Sequence, residues 1–390
     1  MNIAIVGGGI GGLATANAML NKGFNVRVYE RAQVLRPIGA GLSLTPNGLN
    51  SLEAIRSGIV QLLKQAGSPL HKLVLKRSTG ETILSKPIEI EQQYGQPMLN
   101  IQWSKLQAIL AATLPPETIC LDRRCVGLEQ SEDGLSVYFS DGTVIQPDLL
   151  IGADGVNSVV RQNLIGDGFP NFAERVSWRA VIKYDHKLLS PNTATLVTAP
   201  DGKNCFLIDV GEGYTFWSAS MRSSDDFVNR RDTDAKTRVL ERFAQWAEPV
   251  GEMIAATPAE DIVERPLCDR VPLQHWSKGN VTLLGDAAHP VVPSLGQGAN
   301  MAFEDAYELA ECLALAPNTA AAFAAYEQSR IPRTTAIYKR SADVGRRAYQ
   351  PDSETIFKEM MKPSQMERDE FDAWLYSYQP YDLTASKQIT

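Results

Sequence analysis

Residues 284–300 combine side chains and backbone features that can hold a charged, planar ligand. The segment contains the carboxylate of Asp286, a proline-punctuated loop and two glycines, Gly296 and Gly298, at the start of a helical pattern. Glycines let backbone N–H groups approach a ligand closely, and the positive end of a helix dipole favours negative charge. The segment therefore suits a cofactor, although an ordinary strand-to-helix connection has the same pattern.

A glycine cluster near the N-terminus has the spacing of a dinucleotide-binding turn. Gly7, Gly9 and Gly12 match GxGxxG between an apolar strand pattern and an alanine-rich helical pattern. Glu30 ends the following strand pattern, where a carboxylate can accept hydrogen bonds from a ribose. Strand, helix and acid in register predict a βαβ unit that binds a dinucleotide.

A third segment, residues 152–161, also follows a buried strand pattern and contains Asp154 and Arg161. Taken alone, it is explained more simply by an Asx or Ser cap at the start of a helix.

In this order and spacing, the three segments resemble the class A (single-component) flavoprotein monooxygenases, the para-hydroxybenzoate hydroxylase-like family. The resemblance covers the chain from residue 1 to about residue 340. The loop from Gly39 to Asn47 and the aromatic ending at residues 374–378 are similar to the salicylate hydroxylase and zeaxanthin epoxidase-like branches. Relatives of the urate hydroxylase-like branch carry an arginine where this chain has Asn204, which weakens a urate assignment.

The resemblance implies a full set of FAD contacts. It assigns the ADP half to the glycine turn and Glu30, the pyrophosphate region and nicotinamide approach to Asp154 and Arg161, and the ribityl or pyrophosphate part to Asp286. The complete set of implied cofactor-binding residues is Gly7, Gly9, Gly12, Glu30, Arg31, Val126, Asp154, Arg161, Asp286, Gly296, Gly298, Ala299 and Asn300.

One contact of the family is missing. Many relatives have an arginine that touches FAD in an RxxLxxxL pattern, and this chain has Trp103 at that position. Trp103 cannot donate a fork of charged hydrogen bonds, so Gln102, Lys105 or the indole N–H is expected to replace it.

Three residues are candidates for catalysis. The resemblance places Pro293 beside the reacting side of the flavin ring. His289 has two interpretations, a general base and a structural hydrogen-bonded histidine, and the second is favoured. Arg179 is the third candidate, because it lies on the antiparallel sheet that is expected to face the substrate.

Substrate contacts are expected from an antiparallel sheet predicted over residues 176–221. Phe206, Phe216 and Trp217 are the named candidates, with Trp178 and Tyr214 as further aromatic residues. Because side chains alternate along a strand, about half of such residues fill the core instead.

The predicted fold class is α/β, with a Rossmann-like FAD-binding domain, an interleaved antiparallel-sheet substrate domain and C-terminal helices. Residues 1–70, 98–170 and 268–335 are expected to form the FAD-binding domain. Residues 71–97 and 171–267 are expected to form the substrate domain, and residues 336–390 a C-terminal helical segment.

Composition narrows the function classes. The 390 residues carry a spread net charge of -7, which gives no electrostatic reason to expect a nucleic acid partner. Five cysteines without CxxC spacing argue against a disulfide framework or a metal site and favour a reducing, cytoplasmic location. The pattern predicts no transmembrane segment, and a monomer or homodimer is expected.

The predicted function is an FAD-dependent monooxygenase that consumes NADPH or NADH and O2. The family resemblance implies a flavin C4a-hydroperoxide that hydroxylates an aromatic small molecule or epoxidises an electron-rich alkene. Two alternatives are a flavin-dependent reductase or desaturase of a lipid-like substrate and a non-catalytic FAD-binding redox regulator. A flavin halogenase is disfavoured, since residues 178–182 read Trp-Arg-Ala-Val-Ile where a Trp-x-Trp-x-Ile-Pro motif is expected.

Overall fold

The computed structural model describes residues 1–35, 40–132, 134–224, 233–350, 354–355, 357–358 and 366–380. Gly39 in the loop that resembles the family and part of the predicted C-terminal segment lie outside these ranges. None of the helices in the described ranges is long and apolar enough to cross a membrane.

A six-stranded sheet forms the centre of the first half of the molecule. Its strand order is β18-β19-β12-β1-β2-β8, and all neighbours are parallel except β18 and β19. Ile5 and Leu150 are fully buried at its middle, as expected for a parallel sheet covered on both faces. The strands are β1 (Asn2–Val6), β2 (Asn25–Tyr29), β8 (Ile119–Cys120), β12 (Leu149–Gly152), β18 (Ser277–Lys278) and β19 (Val281–Leu283).

Helices pack around this sheet and against one another. The first helix, α1, packs on both α5 and α9, and the long α10 packs along α9. The helices of this part are α1 (Ile10–Asn21), α2 (Pro46–Ile55), α3 (Ile59–Ala66), α5 (Trp103–Ala112), α6 (Val159–Leu164), α9 (Gly298–Leu315), α10 (Thr319–Ala348) and α11 (Met366–Tyr376).

A seven-stranded sheet forms the second half, in the order β17-β13-β16-β15-β14-β5-β6. All neighbours are antiparallel except β14 and β5. Its strands are β5 (Lys72–Arg77), β6 (Thr82–Pro87), β13 (Asn171–Lys183), β14 (Thr193–Thr198), β15 (Asn204–Asp209), β16 (Tyr214–Arg222) and β17 (Val263–Asp269). Two helices, α7 (Ala235–Phe243) and α8 (Val250–Ala256), follow β16 in the chain.

Two small sheets and several short turns complete the described structure. The first small sheet is a meander of β9 (Cys125–Ser131), β10 (Gly134–Phe139) and β11 (Val144–Ile145). The second pairs β3 (Gly41–Leu44) and β4 (Ser68–Pro69) with β7 (Leu99–Gln102). The remaining short elements are helix α4 (Ile90–Tyr94) and the 3-10 turns at Pro116–Thr118, Ala259–Asp261, Gly285–Ala287 and Pro293–Leu295. These elements confirm the predicted α/β class.

The predicted boundary between residues 335 and 336 falls inside α10, which is one continuous helix from Thr319 to Ala348. Pro332 lies within this helix. No change of element therefore marks a separate segment at that point.

The two faces of the seven-stranded sheet bury different residues. On one face, Trp178 and Trp217 are fully buried in a cluster with Phe243 of α7 and Met253 of α8. The Trp217 indole N–H donates to Thr257 Oγ1 at 3.0 Å. Strand alternation places its neighbour Phe216 on the opposite face, in a different cluster. The prediction that Trp217 contacts substrate is therefore corrected: it is a core residue beneath the helices.

Replacing Trp217 by alanine is expected to lower the free energy of unfolding by about 3–5 kcal/mol, because it opens a cavity in this cluster and leaves Thr257 without its donor. Chemical denaturation followed by circular dichroism measures the change. A stability equal to that of the wild type would contradict the core assignment.

Candidate cofactor and substrate site

The glycine turn after β1 is built by close backbone contacts. Gly7 has a φ of +114°, and a Cβ placed there would lie 2.3 Å from the carbonyl oxygen of Ala153. A Cβ on Gly12 would lie 2.0 Å from the carbonyl oxygen of Gly7. A Cβ on Gly9 would meet no described atom within 4 Å. Packing therefore requires glycine at 7 and 12, whereas Gly9 opens space at the start of α1.

Glu30 at the end of β2 lies across this turn. Its carboxylate accepts from the Gly8 N–H at 2.7 Å and from the Ala32 N–H at 2.8 Å. The adjacent Arg31 is exposed. The structure also shows a support that the sequence analysis missed, since the Gln107 side chain donates to the Gly8 carbonyl at 2.7 Å. In the sequence, this support could have been recognised from the glutamine four residues after Trp103, within an otherwise apolar helical pattern.

The Asp154 carboxylate caps α6. It accepts from the N–H groups of Val159 and Val160 at 2.7 and 3.2 Å and from the Ser158 hydroxyl, while Ser158 Oγ accepts from the Arg161 N–H at 2.9 Å. Burial raises the pKa of Asp154, and these hydrogen bonds oppose the shift. The capping interpretation is confirmed, and a cofactor contact of Asp154 stays a prediction.

Arg161 differs from its predicted role. Its side chain is fully buried and pairs with Asp167 at 2.5 Å. Its Nη1 donates to the carbonyls of Ala287 and Ala288 at 3.1 and 2.9 Å. A guanidinium enclosed in this way cannot reach a nicotinamide, so the assignment is corrected: Arg161 fastens the loop that follows Asp286.

The Asp286 carboxylate has no hydrogen-bond partner among the described residues. Its side chain is exposed, and none of the described residues donates a hydrogen bond to it. A Cβ on Gly298 would lie 3.7 Å from its Oδ1, so the carboxylate stands beside the start of α9. Desolvation by the neighbouring protein raises the pKa of Asp286, and nearby His289 opposes the shift.

The start of α9 offers free N–H donors. Gly296 is left-handed at φ 64°, and the helix begins at Gly298 with Gln297 as its N-cap. No described acceptor contacts the N–H groups of Gly298, Ala299 or Asn300. The Asn300 side chain is fully buried and bonds to the backbone of Ser43, Thr45 and Gly296. Asn300 can therefore face a ligand only through its backbone.

A buried polar network fixes this helix start to the beginning of α2. The Gln297 amide donates to Thr45 Oγ1 at 3.1 Å and accepts from Asn47 at 3.0 Å. Asn47 also donates to Glu304 at 2.6 Å, and Arg333 of α10 donates to the same carboxylate at 2.7 Å. The sequence analysis named Asn47 only as part of a loop and missed Glu304 and Arg333; charged residues inside apolar helix faces were the signal.

His289 is part of a buried ion-pair chain. Its Nε2 lies 2.5 Å from Asp305 Oδ2, and Asp305 Oδ1 accepts from Arg330 Nε at 2.8 Å. Burial alone would raise the pKa of Asp305, but the charges of His289 and Arg330 hold it below its usual value. The ring is 5% exposed, and its Nδ1 has no partner among the described residues. This geometry favours the structural interpretation of His289.

Pro293 lies in a loop held by the second half of α10. Pro293 is exposed, and the preceding Val292 carbonyl accepts from the buried Ser341 hydroxyl at 2.6 Å. A Cβ on Gly345 would lie 2.5 Å from both Ser294 Oγ and Arg175 Nη1. Gly345 of α10 therefore lies against both this loop and Arg175 of strand β13 in the second sheet.

The second sheet meets the first part of the molecule at β3. A Cβ on Gly41 would lie 2.6 Å from Phe216 Cβ, so only glycine permits this approach. Phe206, Tyr214 and Ile208 pack in the same cluster as Phe216. This face, away from α7 and α8, brings together the substrate candidates Phe206 and Phe216.

Two predicted contacts lie at the edges of this region. Val126, at the start of β9, is 52% exposed and has room for a ligand. The backbone N–H of Trp103 donates to the Ala40 carbonyl at 2.8 Å, and Lys105 pairs with Glu212 at 3.0 Å. Gln102 Nε2 is buried without a described partner, so Gln102 offers a free donor in place of the family arginine.

A histidine and two acids far from these residues have donor atoms within 4.8 Å of one another: His186, Glu248 and Glu252. The Leu188 N–H donates to His186 Nδ1 at 3.2 Å, so the neutral ring carries its proton on Nε2, which faces Glu248 at 3.5 Å. In that tautomer Nε2 can donate a hydrogen bond to a carboxylate and has no lone pair free for a metal ion.

The nucleotide-type turn, the anion-attracting helix start and the separate substrate sheet define the class of protein, a flavin-dependent oxidoreductase. The family model described as FAD binding domain matches residues 1–341, and the chain belongs to this family. The match confirms the predicted class A flavoprotein monooxygenase family and FAD as its cofactor.

Individual relatives agree with this assignment. The chain is 33% identical to the aurachin C monooxygenase/isomerase of Stigmatella aurantiaca, covering 88% of this chain and 89% of the relative. It is 32% identical to a 3-amino-4-hydroxybenzoate 2-monooxygenase of Streptomyces platensis, covering 97% and 96%. The crystal structure of Klebsiella pneumoniae HpxO complexed with FAD and uric acid matches with a TM-score of 0.84 and 26% identity over 94% of each chain.

The glycine turn provides a matched pair of variants. Gly9→Ala is expected to keep the fold, since Gly9 has φ -71° and ψ 175° and free space, but to weaken FAD binding at least tenfold by filling the approach to the turn. Gly12→Ala is expected to destabilise the protein itself. Thermal unfolding and flavin fluorescence titration separate the two effects. Wild-type FAD affinity in Gly9→Ala would contradict the prediction that the cofactor binds at this glycine turn.

Asp305→Asn is expected to lower the free energy of unfolding by about 3 kcal/mol at pH 7, because it leaves buried positive charge uncompensated. The folded-state pKa of Asp305 lies below its unfolded value of about 3.9, so its contribution is present above about pH 4 and is lost as the pH falls through the folded pKa. The difference from wild type should therefore shrink in acid.

Denaturation curves between pH 7 and pH 3 measure this dependence. Asp343→Asn, which removes an exposed pair with Arg346 on α10, is the matched control and should change stability little. Equal losses of stability in the two variants would show that the buried ion pairs of Asp305 contribute no more to stability than an exposed ion pair does.

Proposed function

We propose that the protein takes electrons from NADH or NADPH through bound FAD and inserts one oxygen atom of O2 into an aromatic or other electron-rich small molecule. The observation that carries this proposal is the meeting of the unpartnered Asp286 carboxylate with the free N–H groups at the start of α9. Both are polar groups that protein packing leaves without partners, and both adjoin the glycine turn region of the same sheet.

The residues present fit FAD. Gly9 leaves the room that a diphosphate needs at the start of α1, and Glu30 lies at the end of β2, where a ribose is recognised. Val126 and Gln102 add an apolar surface and a free donor. When bound, FAD supplies the electron transfer and oxygen activation that protein side chains cannot perform.

The remaining residues of the site would stabilise charge on the cofactor and fix the loop beside it. The free N–H groups of Gly298 and Ala299 would stabilise negative charge on a reduced ring bound at this helix start, and the helix dipole would add to the effect. Pro293 lies on the loop between this helix start and the substrate sheet. Ser341 holds the Val292 carbonyl, which keeps that loop in one conformation.

The substrate is proposed to lie on the Phe206 and Phe216 face of the second sheet. The contact between Gly41 and Phe216 brings this face against the cofactor half, and we expect a planar ring to bind beside that contact. Enclosure excludes water from the reacting atoms. All five cysteines are free, which fits the proposed cytoplasmic location.

The FAD-loaded protein is expected to oxidise NADH or NADPH faster when a suitable phenol, salicylate, quinolone or carotenoid-like alkene is added. With ¹⁸O₂, the product mass should increase by one labelled oxygen, and labelled water should give none. Substrate-stimulated oxidation without a labelled product would identify a reductase or desaturase. Tight FAD binding without any stimulated oxidation across the panel would identify a redox regulator.

A further inference from the structure

Strand β13 carries an arginine that the protein does not neutralise. Arg179 lies on the face of the sheet opposite Trp178 and the helices α7 and α8, because side chains alternate along the strand. Its Nε is buried and has no hydrogen-bond partner among the described residues. Burial lowers the pKa of Arg179, and the nearby charge that acts on it is another cation, Arg265.

Most other buried arginines in the described structure have a carboxylate partner. Arg161 pairs with Asp167, Arg238 with Glu264 at 2.9 Å, and Arg330 with Asp305. Arg175, four residues before Arg179 on the same strand, is an exception: its Nη1 also lacks a described partner, but its guanidinium lies over the Tyr349 ring at 4.9 Å and Asp269 acts on its charge. A buried guanidinium costs free energy unless a partner balances its charge. Arg179 therefore points to a partner that comes from outside the protein.

The surroundings of Arg179 describe that partner. Ser218 stands opposite Arg179 in the sheet register, and its hydroxyl lies 3.0 Å from that of Ser177. Phe206 is the next residue across the sheet from Ser218. Phe216, two residues along β16, faces the same side. A cation and hydroxyls thus adjoin an aromatic surface.

We propose that Arg179 binds an anionic oxygen of an aromatic substrate, a carboxylate or a phenolate, while the ring packs against Phe206 and Phe216. This inference rests on the proposed function, since it names the chemical class that the same site accepts. A planar guanidinium pairs well with a carboxylate through two parallel hydrogen bonds. Arg179 then acts as the specificity-determining residue, and neutral aromatic analogues leave its charge unpaired.

Binding to the oxidised, FAD-loaded protein tests the proposal without turnover. The probes are 2-hydroxybenzoate and benzoate, each compared with its neutral amide, and affinity is measured by calorimetry and by the change in flavin absorbance. The wild type is expected to bind each acid at least tenfold more tightly than its amide. Arg179→Met should reduce this preference to less than twofold, and Arg179→Lys should restore part of it.

Arg265→Met is the matched control, because it removes a neighbouring but exposed positive charge. The Arg265→Met variant should keep the preference for acids if the substrate contacts Arg179 directly. If only the overall positive potential matters, Arg265→Met should lose the preference as much as Arg179→Met does. Since Arg179 has no described protein partner, Arg179→Met is also expected to unfold at a temperature no lower than the wild type. A large loss of stability would assign Arg179 a structural role.

4-Nitrophenol separates the two anionic groups, since its affinity should rise as it ionises if a phenolate is bound. Acids and amides of equal affinity, with no such rise for the phenol, would overturn the proposal. So would an unchanged acid preference in Arg179→Met. Acid preference with no stimulated NADH or NADPH oxidation would instead refute the proposed function and leave the anion site standing.

Discussion

The buried pairing of α9 with α10 is the interaction on which the candidate site depends. Glu304 and Asp305 are fully buried and are neutralised by Arg330 and Arg333. Removing these charges from water is costly, and their mutual attraction offsets the cost only in one arrangement of the two helices. That arrangement sets the start of α9 through Asn47 and the loop after Asp286 through His289.

Backbone approach is the second constraint. Gly7 and Gly12 hold β1, α1 and the loop after β12 closer than any side chain permits, and Gly41 does the same between β3 and Phe216. Gly9 and Gly296 meet no protein atom at their missing Cβ positions. The first group of glycines serves close packing. Gly9 leaves open space at the start of α1, and Gly296 has a left-handed φ of 64° that favours glycine, although all of them look alike in the sequence.

The two halves of the molecule supply different chemistry to one region. The parallel sheet ends in backbone N–H donors of the kind that bind phosphate and in carboxylates of the kind that accept hydrogen bonds from ribose hydroxyls. The antiparallel sheet presents aromatic side chains and an arginine without a protein counter-ion, which suit a planar substrate. The loop at Pro293 is held by α10, whose Ser341 donates to the Val292 carbonyl and whose Gly345 lies against both Ser294 and Arg175 of β13. Chemistry at that point depends on both halves.

The sequence by itself determined the α/β class, the glycine turn with Glu30, the segment around Asp286 and the family, because these depend on local spacing and strand or helix periodicity. Only the tertiary structure decided which faces residues share. It buried Trp217 under helices while turning Phe216 towards β3, and it enclosed Arg161 with Asp167. The chain of ion pairs from His289 to Arg333 joins residues that are distant in sequence, and charge type alone does not reveal partners brought together by packing.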